Sequence, residues 1–194
     1  MKAARTAWFD HFAQVLVGDL VFIDEFGAST NMTRTHGRAP RGERVVGKVP
    51  HGHWKIISTV AALTTRGIVT SASFDGATDA EIFTTFVREA LVPALRPGQV
   101  VVMDNLSPHK TPVVAELIES AECRLLLLPP YSPDFNPIEQ AISKVKTLLR
   151  SEAERDIDAL IEAIGRSLQA VTSDDSIAFI TACGYLATGR CKPL

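Results

Sequence analysis

The stretch LVFIDEF, residues 20–26, predicts a buried β-strand with an acidic side chain at its end. Its nearly continuous apolar run is typical of a strand that is covered on both faces, and the run stops at Asp24. The stretch QVVVMDN, residues 99–105, repeats this pattern and stops at Asp104. If these strands are parallel neighbours, their ends lie about 4.8 Å apart, and two carboxylates there repel each other unless a cation lies between them. Each aspartate on its own could also be a turn or capping residue.

The other elements alternate in an order that indicates an α/β fold. Two β-branched runs, residues 54–63 and 67–76, are separated by a short turn signal and predict a hairpin. Thr78 and Glu81 form a capping-box pattern at the start of the first long helix. Three strands are then followed by helix, strand, helix, strand and two helices, which predicts a ribonuclease H-like fold: a mixed five-stranded sheet with helices on both faces. Apolar spacing places a lead-in helix at 6–19, further helices at 78–95, 111–121, 137–150 and 156–172, the last strand at 123–129 and a short element near 176–187.

The proline-rich stretch PPYSPDFNPIEQ, residues 129–140, contains a third acid of interest. Its prolines restrict the unfolded loop, so ordering this loop costs less entropy. Pro137 fits the first position of a helix, and Asn136 fits the N-cap position before it. Glu139 then either completes a capping box with Asn136 or leans inward over the sheet. The second alternative is supported by an apolar stripe beside Glu139, formed by Ile138, Ile142, Val145 and Leu149.

Three acids that converge, without a nucleophilic Ser or Cys constellation, are typical ligands of hard divalent cations. Mg²⁺ is the expected cofactor, as two ions with Mn²⁺ as a substitute, held by Asp24, Asp104 and Glu139 together with water and substrate phosphate. Such a site performs phosphoryl transfer, in which one ion activates the attacking oxygen and the other stabilises the leaving oxygen.

Composition limits the classes of protein that this sequence can represent. The formal net charge of −2 argues against a dedicated nucleic-acid-binding module, but it leaves room for an enzyme with a local basic surface. No window has the roughly 18 apolar residues of a membrane span, so no membrane partner is expected. The cysteines Cys123, Cys183 and Cys191 show neither metal-binding spacing nor a disulfide framework, which predicts a cytoplasmic protein.

Several segments together resemble the catalytic domain of bacterial insertion-sequence transposases in the mariner-like superfamily, which are DDE-type enzymes. The 34 residues between Asp104 and Glu139 also match the spacing of that superfamily. The resemblance covers residues 20–150 and is strongest when its parts are taken together. These parts are VFIDE (21–25), RAPRG (38–42), GHWKIIST (52–59), VVMDNLSPHK (101–110) and LPPYSPDFNPIEQAISKVK (128–146).

The resemblance implies a function, partners and a domain organisation. The function is cleavage of transposon ends and transfer of the freed strand to target DNA through the triad Asp24, Asp104 and Glu139. The partners are DNA, as terminal inverted repeats and target, and a second copy of the chain in a homodimer that associates with the nucleoid when acting. The organisation is a lead-in helix and linker at 1–19, a ribonuclease H-like DDE catalytic core at 20–150 and a helical extension of the same domain at 151–194.

The family pattern also includes helix-turn-helix domains before the first acid, and only about twenty residues precede Asp24 here. The chain is therefore expected to be the second half of a split transposase or a truncated copy. In the first case, an adjacent reading frame encodes the helix-turn-helix portion.

A basic segment between the first two acids is a candidate DNA-binding surface. Residues 34–55 contain six Lys or Arg residues and a single acid. Arg38, Arg41 and Lys55 could neutralise DNA phosphates, or the segment could be a solvated hairpin.

Residues next to the acids are candidates for supporting roles. Asn105 and His109 could position a phosphate or a water molecule, or Asn105 could simply belong to a turn that leads into a helix. Asn136 is a candidate support for the third acid. Lys146 lies seven residues after Glu139, near the same helical stripe, and could contact DNA or serve only solubility.

Two rival functions remain compatible with these residues. A metal-dependent nuclease or resolvase of the ribonuclease H-like fold would hydrolyse DNA without joining strands. An inactive remnant would bind DNA without chemistry, although retention of all three acids argues against it.

Overall fold

A mixed five-stranded sheet organises the part of the chain that the computed structural model describes, namely Trp8, residues 15–105 and residues 111–185. The strand order is β3-β2-β1-β4-β5. β1 pairs in parallel with β4, which pairs in parallel with β5, whereas β1, β2 and β3 pair in antiparallel fashion. The strands are β1 (Leu20–Ser29), β2 (Ile56–Thr64), β3 (Gly67–Asp75), β4 (Val100–Met103) and β5 (Arg124–Leu127).

Five α-helices of this part of the chain cover the two faces of the sheet, as the sequence predicts. They are α1 (Ala80–Phe86), α2 (Pro112–Ser120), α3 (Pro137–Glu152), α4 (Ile157–Gln169) and α5 (Ser173–Ala182). Most of the lead-in helix expected at 6–19 lies outside the described residues, and Val17–Asp19 form a 3₁₀ turn. Each described helix is too short or too polar to cross a membrane.

The helix expected at 78–95 is less regular than the apolar spacing indicates. After α1, the chain continues as a π-turn at Val87–Leu91 and a 3₁₀ turn at Val92–Ala94. The capping box expected from Thr78 is wrong. Asp79 is the N-cap, and its carboxylate accepts hydrogen bonds from the backbone N–H groups of Glu81 and Ile82. An aspartate at this position also interacts favourably with the positive end of the helix.

Side chains alternate across the two central strands, and this alternation separates two cores. Even-numbered residues, such as Phe22 in β1 and Val102 in β4, pack with α3, α4 and α5. Odd-numbered residues, such as Ile23 and Met103, pack with α1 and α2. An even-numbered polar residue at the end of either strand therefore faces the layer that contains α3.

Polar contacts attach α3 to its neighbours. The Lys144 ammonium forms an ion pair with the Asp175 carboxylate of α5. This hydrogen bond, together with those from Thr172, lowers the pKa of Asp175 to about 2. Arg166 of α4 forms an ion pair with Glu152 at the end of α3. The layer above the even-numbered face is thus joined by charge as well as by apolar contact.

The segment between α4 and α5 approaches the sheet closely at the β2–β3 turn. Gly67 has φ of +108°, and a Cβ atom there would lie 2.8 Å from the Val171 carbonyl oxygen. Gly76, at the other end of β3, has φ of +91°, and an added Cβ would meet no atom within 4 Å. We expect Gly76→Ala to lower the free energy of unfolding by about 1–3 kcal/mol through backbone strain alone. Gly67→Ala adds a steric clash and must cost more.

Urea unfolding of both variants measures this difference. Equal losses of stability would contradict the close approach of Val171 to the turn.

Candidate active site

Asp24 and Asp104 lie at the edge where β1 and β4 separate. The last residues that pair between these parallel strands are Ile23 and Met103, so the same register aligns the two acids that follow. Both acids have even numbers and therefore face the α3 layer, and both are half-buried. β1 does not end at Asp24, as its apolar run suggests, but continues to Ser29 because β2 still pairs with its other edge.

Asn136 connects the proline-rich loop to the first of these acids. Its side chain is 2% exposed, and its Nδ2 donates a hydrogen bond of 2.9 Å to Asp24 Oδ2. The second oxygen of Asp24 accepts from the backbone N–H of Glu25 at 2.8 Å. Hydrogen bonds to a carboxylate are stronger than those between neutral groups, so this pair fixes the orientation of Asp24.

The capping role expected of Asn136 is therefore wrong. Asn136 occupies the N-cap position of α3, but its side chain makes no capping hydrogen bond. Glu139 donates its backbone N–H to the backbone carbonyl of Asn136 at 3.1 Å, so no capping box forms. The amide has turned toward Asp24, and its own Oδ1 is buried without a hydrogen-bond partner in the described part of the chain.

Glu139 lies between two adjoining cavities in the first turn of α3. One cavity, of about 500 Å³, is also bordered by Asp104, Asn105 and Asn136. The other, of about 370 Å³, is bordered by Asp24 and by basic side chains of α3. Part of the Glu139 side chain reaches solvent, yet burial of its carboxylate and, second, repulsion by Asp104 raise its pKa, while Lys146 opposes this rise.

The three acids approach one another in pairs. Asp24 aligns with Asp104 through strand register, Asp104 and Glu139 border one cavity, and Asp24 and Glu139 border the other. In the ranges that the structure describes, no group of three Asp, Glu, His or Cys side chains is close enough to hold a metal ion. Carboxylates are nevertheless the donor type that Mg²⁺ and Mn²⁺ prefer, so the residues fit such an ion chemically. Coordination by all three acids requires their side chains to move together.

Tyr185, the last residue that the structure describes, supports the proline-rich loop. Tyr185 is fully buried, and its hydroxyl donates to the Phe135 carbonyl at 2.8 Å and accepts from Trp8 Nε1 at 3.0 Å. Its ring packs edge-on against Phe22 of β1, with 5.0 Å between ring centroids. Because Phe135 directly precedes Asn136, these contacts determine where the Asn136 amide lies.

The residues predicted to bind DNA are only partly near the acids. Lys146 borders the cavity of Asp24, and its Nζ lies 6.0 Å from the centre of the Phe26 ring. Arg38 and Arg41 are exposed in the irregular segment between β1 and β2 and border neither cavity. Lys55 is exposed at the end of that segment, where its backbone pairs with Thr30.

Two predicted residues remain, and the structure describes one of them. Asn105 is half-buried and borders the larger cavity beside Asp104. His109 lies outside the described residues.

Two residues of the site escaped the sequence analysis. Arg150 borders the Asp24 cavity with Lys146, and a spacing of eleven residues from Glu139, three helical turns, could have revealed it. Tyr131, at the rim of the larger cavity, is 88% exposed and has φ of +56°. This conformation costs a residue other than glycine about 1–2 kcal/mol, and nothing in the sequence signals it.

A five-stranded sheet of this order, with acids where its parallel strands separate and on the following helix, defines the class of ribonuclease H-like enzymes that act at phosphorus. The sequence profile of the DDE superfamily endonucleases matches residues 19–161, and the chain belongs to this family. The resemblance to DDE-type enzymes stated from the sequence is thereby confirmed. No curated protein sequence matches the chain.

Solved structures of a mariner transposase share the fold. The Mos1 transposase paired-end complex with left transposon end has a TM-score of 0.76 at 14% identity, covering 100% of this chain and 62% of the Mos1 chain. The Mos1 mariner paired-end complex with Mn has a TM-score of 0.73 at 16% identity, covering 97% and 61%. The isolated catalytic domain of Mos1 mariner transposase has a TM-score of 0.66 at 12% identity, covering 98% and 92%. These similarities confirm the ribonuclease H-like fold class.

The raised pKa of Glu139 predicts that ionisation of this side chain destabilises the folded protein. A group whose pKa is raised in the folded state stabilises the fold below its unfolded pKa, and this contribution is lost as pH rises through the folded value. Glu139→Gln removes the repulsion, so we expect a higher Tm than wild type at pH 7 and a smaller difference at pH 4. Thermal unfolding in EDTA measures both. Glu116→Gln, at an exposed position of α2, is the control, and a similar gain there would contradict this explanation.

The Asn136 contact predicts a pH-dependent loss of stability. Asn136→Asp replaces the donor with a buried carboxylate against Asp24, so the folded state should favour a proton on the new group. We expect Tm to fall at pH 7 and to recover as pH decreases toward 4. Asn31→Asp is the control, because Asn31 already uses its Oδ1 as an acceptor, from Ser29 Oγ. A loss of Tm that did not change with pH would show that Asn136 does not face a charged Asp24.

Proposed function

We propose that this chain is a transposase catalytic domain that cleaves and joins DNA strands by metal-dependent phosphoryl transfer. The observation that carries the proposal is the in-register alignment of Asp24 and Asp104 at the end of parallel pairing, with Glu139 bordering the same cavity as Asp104. Membership of the DDE superfamily endonucleases supports the same chemistry. The fold shared with the Mos1 transposase supports the assignment to transposition.

Asp24, Asp104 and Glu139 are the proposed ligands of two Mg²⁺ ions, for which Mn²⁺ can substitute. Mos1 structures with Mn and with Mg support this choice of metal. The ions, when bound, activate the attacking oxygen and neutralise charge on the leaving oxygen. The protein supplies orientation: Asn136 holds Asp24, and the rigid loop before α3 positions Glu139.

Basic residues of α3 are suited to bind the DNA backbone beside these acids. Lys146 and Arg150 border the Asp24 cavity, where their charges can offset the phosphate charge of an approaching strand. Arg38, Arg41 and Lys55 would extend this contact along the DNA from the exposed segment before β2. Asn105, which borders the larger cavity, and His109, which follows it in sequence, would contribute further contacts.

The proposed partners are the terminal inverted repeats and the target DNA. Mos1 is described in a paired-end complex with a transposon end, which supports DNA ends as substrates. The active form is proposed to be a homodimer. Recognition of those ends is proposed to come from a helix-turn-helix portion. The proposed organisation remains a catalytic core at 20–150 and a helical extension at 151–194, acting at the nucleoid.

A DNA endonuclease that does not join strands is the second candidate, favoured by the description of the matching family. A strand-transfer assay with pre-cleaved DNA ends separates the two, because the endonuclease would leave no joined product.

Replacement of Asp104 tests the proposed chemistry. We expect Asp104→Asn to lower both Mn²⁺ affinity and the rate of Mn²⁺-dependent plasmid nicking by more than about 100-fold, because even outer partners of metal ligands contribute about 10–100-fold. Calorimetry measures the affinity, and gel electrophoresis measures the nicking. Asp75→Asn, at an exposed position that ends β3, is the control. An Asp104→Asn protein that nicks as the wild type does would refute the assignment.

A further inference from the structure

An apolar groove lies between β3 and α1, on the face of the sheet opposite to the α3 layer. Its volume is about 370 Å³, and Phe74 and Ile82, which border it, are only half-buried. None of its residues borders the two cavities of the acids, so it is separate from the candidate active site. We call it the β3 groove, and the argument below uses six of its residues: Ala72, Phe74, Glu81, Ile82, Phe86 and Glu89.

The strand beside this groove has a free edge. In the described part of the chain, β3 is the outermost strand on its side of the sheet. Every second backbone N–H and C=O of such a strand points away from the sheet, and these groups can pair with an added strand. Ala72 and Phe74 face the groove, with the core that contains α1. Every second side chain of an added strand would face the same side and enter the β3 groove.

The rim of the groove is negatively charged. Glu81 and Glu89 are both exposed, and no Lys or Arg of the described residues borders the groove. Asp75 and Asp79, which are exposed at the end of β3 and before α1, add negative charge nearby. This charge repels the phosphates of DNA and attracts a basic partner. The groove therefore suits a peptide that is both apolar and basic.

The positions of the two glutamates indicate the spacing of that peptide. The sequence separation of Glu81 and Glu89 corresponds to about 12 Å along a helix. Residues i and i+4 of an extended strand face one side and lie about 13 Å apart. Two basic residues with this spacing can approach both glutamates, while residue i+2 between them faces Phe74 and Ile82.

We propose that the β3 groove binds an extended segment of another protein, which adds a strand to β3. The segment places one apolar side chain in the groove, with a Lys or Arg two residues before it and another two residues after it. The backbone pairing supplies affinity that is independent of sequence, and the groove selects the side chains.

A second copy of the chain is the competing occupant. Arg44, Val46 and Lys48 have the same spacing, and Val46 is 87% exposed. These residues lie in the basic segment for which we propose DNA contact, so we assign the groove to a separate protein. The test distinguishes the two occupants.

Two synthetic peptides of equal composition test the spacing. In Gly-Lys-Thr-Val-Thr-Lys-Gly, an extended backbone places both lysines on the side of the valine. In Gly-Thr-Lys-Val-Lys-Thr-Gly, both lysines face the opposite side. Each peptide is titrated into the ¹⁵N-labelled full chain, and backbone amide shifts report the place and the affinity of binding.

We expect the first peptide to shift amides of β3 and α1 and to bind roughly 2- to 25-fold more tightly than the second, the gain from two exposed ion pairs. The double variant Glu81→Gln, Glu89→Gln changes only exposed side chains and should bind both peptides equally. Ala72→Lys, which fills the groove, should abolish the shifts. Ser71→Lys, on the opposite side of the same strand, is the matched control and should bind as the wild type does.

Three results would overturn the inference. They are the absence of shifts at about 1 mM peptide, equal affinity of the wild type for both peptides, and a preference that persists in the double Gln variant. Sedimentation velocity without peptide examines the competing occupant. A dimer that is lost in both Ala72→Lys and Val46→Asp would assign the groove to a second copy and overturn the assignment to another protein.

Discussion

The parallel pairing of β1 with β4 is the constraint on which the rest of the site depends. Parallel strands align their ends without help from a tight turn, so their register depends on the backbone hydrogen-bond ladder together with the apolar side chains that fill both faces. Here both faces are filled, by α1 and α2 on one side and by α3, α4 and α5 on the other. A register shift of one residue would move Asp24 to the opposite face from Asp104. The packing that fixes the register therefore also brings the two acids together.

Groups of the protein partly offset the negative charge of the three acids. The Asn136 amide donates to Asp24, and Lys146 partly offsets the repulsion that Asp104 exerts on Glu139. Both groups belong to the loop and helix that follow β5, rather than to the strands. The strands and the first turn of α3 bring negative charge together, and Asn136 and Lys146 partly offset it. Charge that is only partly offset is typical of sites whose residues are selected for chemistry at some cost in stability.

Much of the fold could be predicted from the sequence because periodicity reports burial directly. The order of strands and helices along the chain and the position of the two aspartates after apolar runs both depend on local patterns. The role of Asn136 could not be predicted, because its local pattern indicates a cap, whereas its partner lies 112 residues away. The continuation of β1 to Ser29 was hidden for a similar reason: only pairing with β2, which is distant in sequence, keeps that part extended. Arg150 was missed although it could have been predicted, since helical spacing alone places it beside Lys146.

The contacts of Tyr185 imply that the site is completed late in folding. Its hydroxyl supports the carbonyl of Phe135, fifty residues earlier in the chain, and its ring supports β1 through Phe22. During synthesis the strands and the acids emerge first, but the loop that positions Asn136 lacks this support until Tyr185 has left the ribosome. An enzyme that acts on DNA would thus complete its site only after Tyr185 has been made. Fragments that end before Tyr185, from early termination or proteolysis, would retain the acids yet lack the support that orients them.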